Sequence, residues 1–174
     1  MHCPSQSIKK VQDKAKGNME QNIHELGQLM KLPEGYEWVH KASVSAHEIM
    51  KLRQSAGWDP GIEAIWLGCL DTALSLRAVR LCATGELVGV GFLTGNGRHA
   101  ILCDFCVHEQ HQGKGIGLAI LHARISDVER MRIPFLYTSI SAKNPLKNVY
   151  AECGFEGTDA NLFRAHTSFE DFDE

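Results

Sequence analysis

The spacing of apolar positions divides the first half of the chain into one strand and two helices. Apolar and polar residues alternate over residues 36–40, which predicts a strand. Residues 43–56 and 62–76 instead repeat their apolar positions at the period of an amphipathic helix. A turn at residues 57–61, which contains glycines and a proline, separates the two helices.

The next part of the chain reads as three strands joined by glycine-containing turns. Residues 77–83 and 87–93 are apolar and strand-like, and Thr84-Gly85-Glu86 between them carries the glycine signal of a hairpin. Gly95-Asn96-Gly97 then leads into a third run, His99–Val107. These runs predict an antiparallel meander.

A helix and a further strand follow the meander. Residues 118–131 have helical spacing and residues 134–141 are strand-like, which predicts a parallel pairing of this strand with His99–Val107. Short strands near residues 155–157 and 161–166 are predicted to close the sheet. The fold class is therefore predicted to be α/β, with a mixed, mostly antiparallel sheet and flanking helices.

The first 33 residues have a weaker pattern of apolar positions than the rest of the chain. Their apolar positions allow one short helix, at about residues 19–30. An isolated helix of this length is marginal in water, so we expect residues 1–33 to be an extension that is either helical or mobile. Residues 34–174 are expected to form a single domain, since a chain of 174 residues that is 44% hydrophobic can bury one core.

Composition narrows the classes of partner. A net charge of −3 gives no basic surface for nucleic acid. No run of about 18 apolar residues is long enough to span a membrane. The first residues lack the apolar stretch of a signal peptide, so a cytoplasmic location is the expectation.

The cysteines and nearby histidines raise the question of a metal site. Cys103-x-x-Cys106-x-His108-x-x-His111 has the composition of a zinc site. The two cysteines lie on a predicted strand, however, where residues three apart point to opposite faces. We therefore expect no metal, and interpret the cysteines as small apolar residues.

A glycine-rich turn, Gln112 to Gly117, joins His99–Val107 to the helix that follows. Glycines at the start of a helix leave backbone N–H groups uncovered, and together with the helix dipole these form a receptor for phosphate. A nucleotide P-loop is excluded because Lys114 is followed by Gly115 rather than Ser or Thr. A dinucleotide site is poorly supported because the strand at residues 134–141 ends without a carboxylate. A purely structural turn remains an alternative.

The spacing Gln112-x-x-Gly115-x-Gly117 resembles the acetyl-CoA loop of the GCN5-related N-acetyltransferases, the GNAT family. That pattern is Gln or Arg, two residues, Gly, one residue, and Gly or Ala. Residues 101–108 are similar to the family's fourth strand, which ends shortly before the loop. The resemblance implies a GNAT fold, in which the parallel fourth and fifth strands splay apart.

A second motif extends the resemblance toward the C-terminus. Asn144, Tyr150 and Gly154-Phe155 are similar to the family's closing signature, with an Asn-to-Tyr spacing one residue shorter than is often found. In all, the resemblance covers about residues 36–167 and is most specific over residues 101–155.

The resemblance implies that acetyl-CoA is the co-substrate and that its pantetheine arm lies between the splayed strands. A thioester oxygen near the Val107 amide would gain oxyanion-type stabilisation. The helix pair would cover the acceptor side, with Trp58 as a candidate wall. The implied cofactor-binding residues are Phe105, Cys106, Val107, Gln112, Gly113, Lys114, Gly115, Ile116, Gly117, Leu118 and Asn144.

Acylation of an amine by a thioester requires a proton acceptor and a proton donor, because an ammonium cannot attack and a thiolate must be protonated. Asp104 is the leading candidate for the base, as a charge in an otherwise apolar strand; a solvated, outward-facing carboxylate is the alternative. His99, His108 and Glu48 are the other candidate bases. Tyr150 coincides with the family's tyrosine and is the candidate acid, although a packing tyrosine would look the same.

The sequence therefore predicts an N-acetyltransferase that moves acetyl from acetyl-CoA to a primary amine by direct attack in a ternary complex. No cysteine aligns with a family nucleophile, so no covalent intermediate is expected. The alternative is a catalytically silent CoA-binding regulatory or structural module. The acceptor stays open in this interpretation, and a homodimer is compatible with the family.

Overall fold

A computed structural model describes residues 31–140 and 147–156 of the protein. The strands are β1 (Tyr36–Val39), β2 (Ser75–Leu81), β3 (Leu87–Gly95), β4 (His99–Val107) and β5 (Phe135–Thr138). The helices are α1 (Ala46–Ser55), α2 (Glu63–Thr72), α3 (Ile116–Arg130) and α4 (Lys147–Glu152). In these ranges the strands form one sheet in the order β1-β2-β3-β4-β5. Strands β1 to β4 pair antiparallel and β5 pairs parallel to β4, which confirms the predicted mixed α/β sheet.

The boundary between the second helix and the next strand differs from the prediction. The helix expected over residues 62–76 ends at Thr72, and β2 begins at Ser75. Ser75 pairs with Leu93 of β3, and its hydroxyl donates to the carboxylate of Asp127 on α3 over 2.9 Å. These long-range contacts outweigh the local helical spacing.

Some predicted segments fall outside the described residues. The short helix expected within the first 30 residues lies there, as does Asn144. Of the predicted closing strands, Phe155 and Glu156 are described and do not form a strand, and the rest lies outside the described residues.

Helices cover both faces of the sheet. Helices α1 and α2 pack on one face through Ile49, Leu52 and Trp66, which contact Phe92 and other strand residues. Helix α3 packs on the other face and buries Ile116, Ile120 and Leu121. None of the helices in residues 31–140 and 147–156 is long and apolar enough to cross a bilayer.

Strand β4 contains a β-bulge. Asp104 and Phe105 together oppose the single residue Gly91 of β3, and Asp104 has a φ of 46°, in the left-handed region. The extra residue inverts the alternation of side chains along the strand. Leu102 before the bulge and Phe105 after it therefore both pack on the α3 face.

The bulge also corrects the argument about the cysteines. Cys103 and Cys106 both pack in the cluster beneath α1 and α2, so the prediction that they point to opposite faces was wrong. Among the described residues, no group of three or more His, Cys, Asp or Glu side chains is arranged to hold a metal ion.

Candidate active site

The predicted phosphate-binding turn lies between the end of β4 and the start of α3. Gly113 and Gly115 have φ values of 73° and 86°, and no atom lies within 4 Å of the position that a Cβ would take at either residue. Helix α3 begins with no side-chain cap and with no acidic residue in its first turn. Its first N–H groups therefore have neither an intrahelical acceptor nor a capping side chain, which is the property of an anion-binding helix start.

The parallel strands separate beside this turn. Their pairing ends at Leu102 and Thr138, whereas β4 continues to Val107. The last five residues of β4, from Cys103 onward, thus have no partner on β5. This divergence is the splayed pair that the resemblance implied, and we refer to the gap as the opening.

The backbone N–H of Val107, at the end of β4, faces the opening. The N–H of His108 donates to the carbonyl of Val88 on β3 over 2.9 Å. Because the hydrogen-bonding direction alternates along a regular strand, Cys106 also directs its backbone groups to β3, while the N–H of Val107 is directed to the opening. The three predicted backbone contacts, at Phe105, Cys106 and Val107, stay predictions.

Side chains of the turn hold it against the sheet. Gln112 Nε2 donates to the carbonyl of Val107 over 3.0 Å. Lys114 Nζ donates to the Tyr36 hydroxyl over 3.4 Å, and this hydroxyl is 2.8 Å from Nδ1 of His111. Burial, followed by the charge of Lys114, lowers the pKa of His111. The imidazole is therefore neutral near pH 7, and Lys114 is the cation beside the turn.

Tyr150 lies on α4 at the base of the opening. It is only 5% exposed and packs with Leu102 of β4 and Leu121 of α3. Burial raises the pKa of Tyr150, and a hydrogen bond with the Thr138 side chain partly offsets this effect. Since Thr138 is the last β5 residue in the ladder, the phenol sits where the two strands part.

The end of α4 explains the Tyr-x-x-x-Gly-Phe spacing. Gly154 has a φ of 83°, its N–H donates to Ala151, and the N–H of Phe155 donates to the carbonyl of Tyr150 over 3.0 Å. This pattern is a Schellman motif, which requires the left-handed residue that glycine supplies. It folds the Phe155 ring against that of Tyr150, with centroids 5.4 Å apart.

Asp104 lies on the opposite face of β4 from Tyr150 and is not an isolated carboxylate. Its Oδ1 accepts from Nη1 of Arg53 on α1 over 2.8 Å. The Asp104 side chain is 34% exposed, so it is neither fully solvated nor buried. The candidate base and the candidate acid thus flank the opening from opposite faces of the sheet.

The alternative bases are engaged elsewhere. Glu48 caps α1 with Ser45 and pairs with Arg80 at 2.5 Å. Burial alone would raise the pKa of Glu48, but hydrogen bonds from Arg80 and Ser45 lower it to about 2, which makes it a poor proton acceptor. Glu48 and His108 line a pocket of about 240 Å³ between α1 and β3. His99 stacks on aromatic side chains of β5.

The structure adds residues that the sequence analysis missed. The guanidinium carbon of Arg53 lies 5.1 Å from the ring centroid of Trp58 and 4.9 Å from that of Trp66. Trp58, the predicted wall of the acceptor side, is 44% exposed. No local pattern marks Arg53, because an arginine on an amphipathic helix is ordinary and its partner Asp104 is 51 residues away.

Comparison with known proteins supports a class of acyl-group transferases. The family model described as "Acetyltransferase (GNAT) domain" matches residues 75–172, more than half of the chain. The chain therefore belongs to the GNAT acetyltransferase family. No curated protein matches the sequence.

Solved structures share the fold at low sequence identity. A protein of unknown function from meticillin-resistant Staphylococcus aureus is 20% identical, with a TM-score of 0.64 over 76% of this chain and 98% of that one. A Trypanosoma brucei acetyltransferase is 17% identical, with a TM-score of 0.61 over 75% and 98% of the two chains. Glucosamine-6-phosphate N-acetyltransferase from Arabidopsis thaliana is 11% identical, with a TM-score of 0.62 over 77% and 100%. At these identities the likeness concerns the fold alone.

Proposed function

We propose that the protein is an N-acetyltransferase that moves an acetyl group from acetyl-CoA to a primary amine by direct attack in a ternary complex. One observation carries the proposal: the uncovered start of α3 adjoins the stretch of β4 that has lost its neighbour on β5. Membership of the GNAT family supports the acyltransferase class.

The residues around the opening fit a CoA thioester. Open amides at a helix start suit a diphosphate, and unpaired backbone groups of a strand suit the amides of a pantetheine arm. Phe105, Cys106 and Val107 are the proposed β4 contacts of the arm, and the N–H of Val107 faces the opening. Asn144 stays a predicted contact. The residues for the diphosphate are Gln112, Gly113, Lys114, Gly115, Ile116, Gly117 and Leu118.

When bound, acetyl-CoA supplies a thioester carbon to which the amine nitrogen bonds as the carbon–sulfur bond breaks and CoA leaves as a thiol. Asp104 takes the proton that the amine must lose. The Val107 N–H donates to the developing oxyanion, an interaction worth about 3–4 kcal/mol for a well-placed donor. Tyr150 gives a proton to the departing sulfur, and its raised pKa keeps the phenol protonated near neutral pH.

The test is release of free thiol from acetyl-CoA across a panel of amines, with mass spectrometry of the products. We expect Tyr150→Phe to lower kcat by roughly 10²- to 10⁴-fold, the usual contribution of a general acid. Tyr137→Phe is the matched control, because Tyr137 lies on β5 with 49% exposure and away from the buried phenol site. Undiminished activity of Tyr150→Phe removes this residue from the mechanism.

A CoA-binding module without catalysis is the second candidate. Two observations favour it: the candidate acid Tyr150 is buried, and the candidate base Asp104 is already paired with Arg53. Calorimetry separates the two: CoA binding without thiol release on any amine indicates the module. Absence of CoA binding at millimolar concentration contradicts both.

A further inference from the structure

The guanidinium of Arg53 is fixed on the face of the sheet that α1 and α2 cover. Its Nε donates to the carbonyl of Asp59 over 2.8 Å, its Nη1 donates to Asp104, and two tryptophan rings lie against it. The side chain is only 16% exposed. Within the described part of the chain, Nη2 donates to no residue. A guanidinium held in this way presents a fixed planar edge to a carboxylate.

Asp104, the negative partner of Arg53, lies beside the opening. Its bulge follows Leu102, where the β4–β5 ladder ends, and lies in the stretch of β4 that has no partner on β5. A positive and a negative group therefore lie side by side where the acceptor amine must approach. This arrangement is complementary to a molecule that carries both charges a few ångströms apart.

We propose that the Arg53–Asp104 pair recognises the acceptor and that the acceptor is a free α-amino acid. Its amino group lies against Asp104 and its carboxylate against Arg53. This assignment rests on the proposed acetyltransferase function and names the substrate class of the same site.

Charge balance favours an amino acid over a simple amine. A simple ammonium that binds Asp104 competes with Arg53 and leaves a largely buried guanidinium without a counter-charge, which is unfavourable. An amino acid brings its own carboxylate, so each charged group of the protein has a partner in the complex. The carboxylate of an amino acid therefore contributes to binding through Arg53.

The experiment compares matched acceptors on the full-length protein. Each standard α-amino acid is assayed beside its amide and its decarboxylated amine, with phosphoethanolamine as an amine that carries a phosphate. Thiol release and product mass give kcat/KM for each. We expect the free amino acid to exceed its amide and its amine by roughly 10- to 100-fold, the effect of one charged hydrogen bond.

Variants test whether Arg53 causes this preference. Arg53→Gln should remove most of the preference for the carboxylate, mainly through a higher KM, and Arg53→Lys should restore part of it. Arg80→Gln is the control, because Arg80 also pairs with a carboxylate, that of Glu48, and has nearly the same exposure as Arg53, 15% against 16%. It should leave the ratio between amino acid and amine unchanged. Thermal unfolding of all variants shows whether they fold.

The outcomes separate this inference from the proposed function. Equal or better turnover of the amides, the simple amines or phosphoethanolamine overturns the inference while leaving an acetyltransferase. A preference for the carboxylate that persists in folded Arg53→Gln also overturns it. Bound acetyl-CoA with no acetylation of any amino acid overturns it as well, whereas failure to bind acetyl-CoA overturns the proposed function itself.

Discussion

Asp104 occupies a backbone conformation that few side chains tolerate. Its φ of 46° lies in the left-handed region, where Asn and Asp are enriched several-fold among residues other than glycine. The same residue carries a charge beside the opening. Because Asn has nearly the same shape and the same conformational tolerance, an Asn at this position separates the role of the charge from that of the backbone.

We expect Asp104→Asn to keep the bulge and to lower kcat/KM for acetyl transfer by roughly 10²-fold or more, as for loss of a general base. Asp104→Ala should lose in addition about 1–2 kcal/mol of unfolding free energy, because its Cβ is strained in the left-handed region. Urea unfolding of the two variants isolates this strain, since both lose the pair with Arg53. An alanine variant as stable as the asparagine variant contradicts the argument.

At the scale of elements, the local pattern predicted β4 at its observed bounds, because apolar residues between two glycine turns leave little choice of limits. It did not predict the end of α2 or the bulge. The first depends on the contact of Ser75 with Asp127, 52 residues away. The bulge depends on the register between β3 and β4 at Gly91. The sequence of one strand alone does not determine that register.

The approach of α3 to the sheet depends on a glycine of β3. A Cβ added at Gly91 lies 2.8 Å from Cγ2 of Ile120 on α3 and 3.1 Å from the Phe105 ring. The absence of a side chain there lets α3 pack closely over the bulge. This packing sets where the helix start lies relative to the end of β4.

We therefore expect Gly91→Ala to cost about 1–3 kcal/mol of unfolding free energy through overpacking and to weaken acetyl-CoA binding by displacing α3. Gly97→Ala is the control, because nothing lies within 4 Å of its added Cβ and its φ is not positive. Thermal unfolding and calorimetry with CoA measure the two effects. Wild-type stability of Gly91→Ala argues against the close packing.

For the whole molecule, the sequence predicted the position of the glycine-rich turn, because one continuous segment builds it. The glycine spacing predicts this turn, the structure places it at the start of α3, and its role in phosphate binding stays a prediction. The acceptor side was harder to predict. Arg53, Trp66 and Asp104 come from different elements, and only the assembled sheet brings them together.

A buried charge network joins the strand layer to α3. Asp127 is fully buried and accepts from Ser75, Arg77 and Arg124, with Arg77 Nη2 at 2.5 Å and Arg124 Nη2 at 2.6 Å. Arg130 contacts the same carboxylate. The Nε and Nη1 atoms of buried Arg124 have no hydrogen-bond partner within the described residues, so Asp127 is the main compensation for its charge.

This network predicts how stability depends on pH. Burial alone would raise the pKa of Asp127, but the hydrogen bond from Arg77 and the charge of Arg124 lower it below the ordinary value of 3.8. A carboxylate with a lowered pKa in the folded state contributes stability that is present above about 3.8 and is lost as pH falls through the folded-state pKa. Substitution of Asp127 should therefore lower the unfolding free energy most at neutral pH.

We expect Asp127→Asn to lose about 3–5 kcal/mol of unfolding free energy at neutral pH, because it leaves buried arginines without a counter-charge. The loss should shrink as pH falls from about 3.8 through the lower folded-state pKa, because wild-type Asp127 becomes protonated as well at the end of that range. Urea unfolding at several pH values measures this convergence, with exposed Asp71→Asn as the control that should follow wild type throughout. A constant difference between wild type and Asp127→Asn down to low pH means that ionisation of Asp127 does not hold α3 against the sheet.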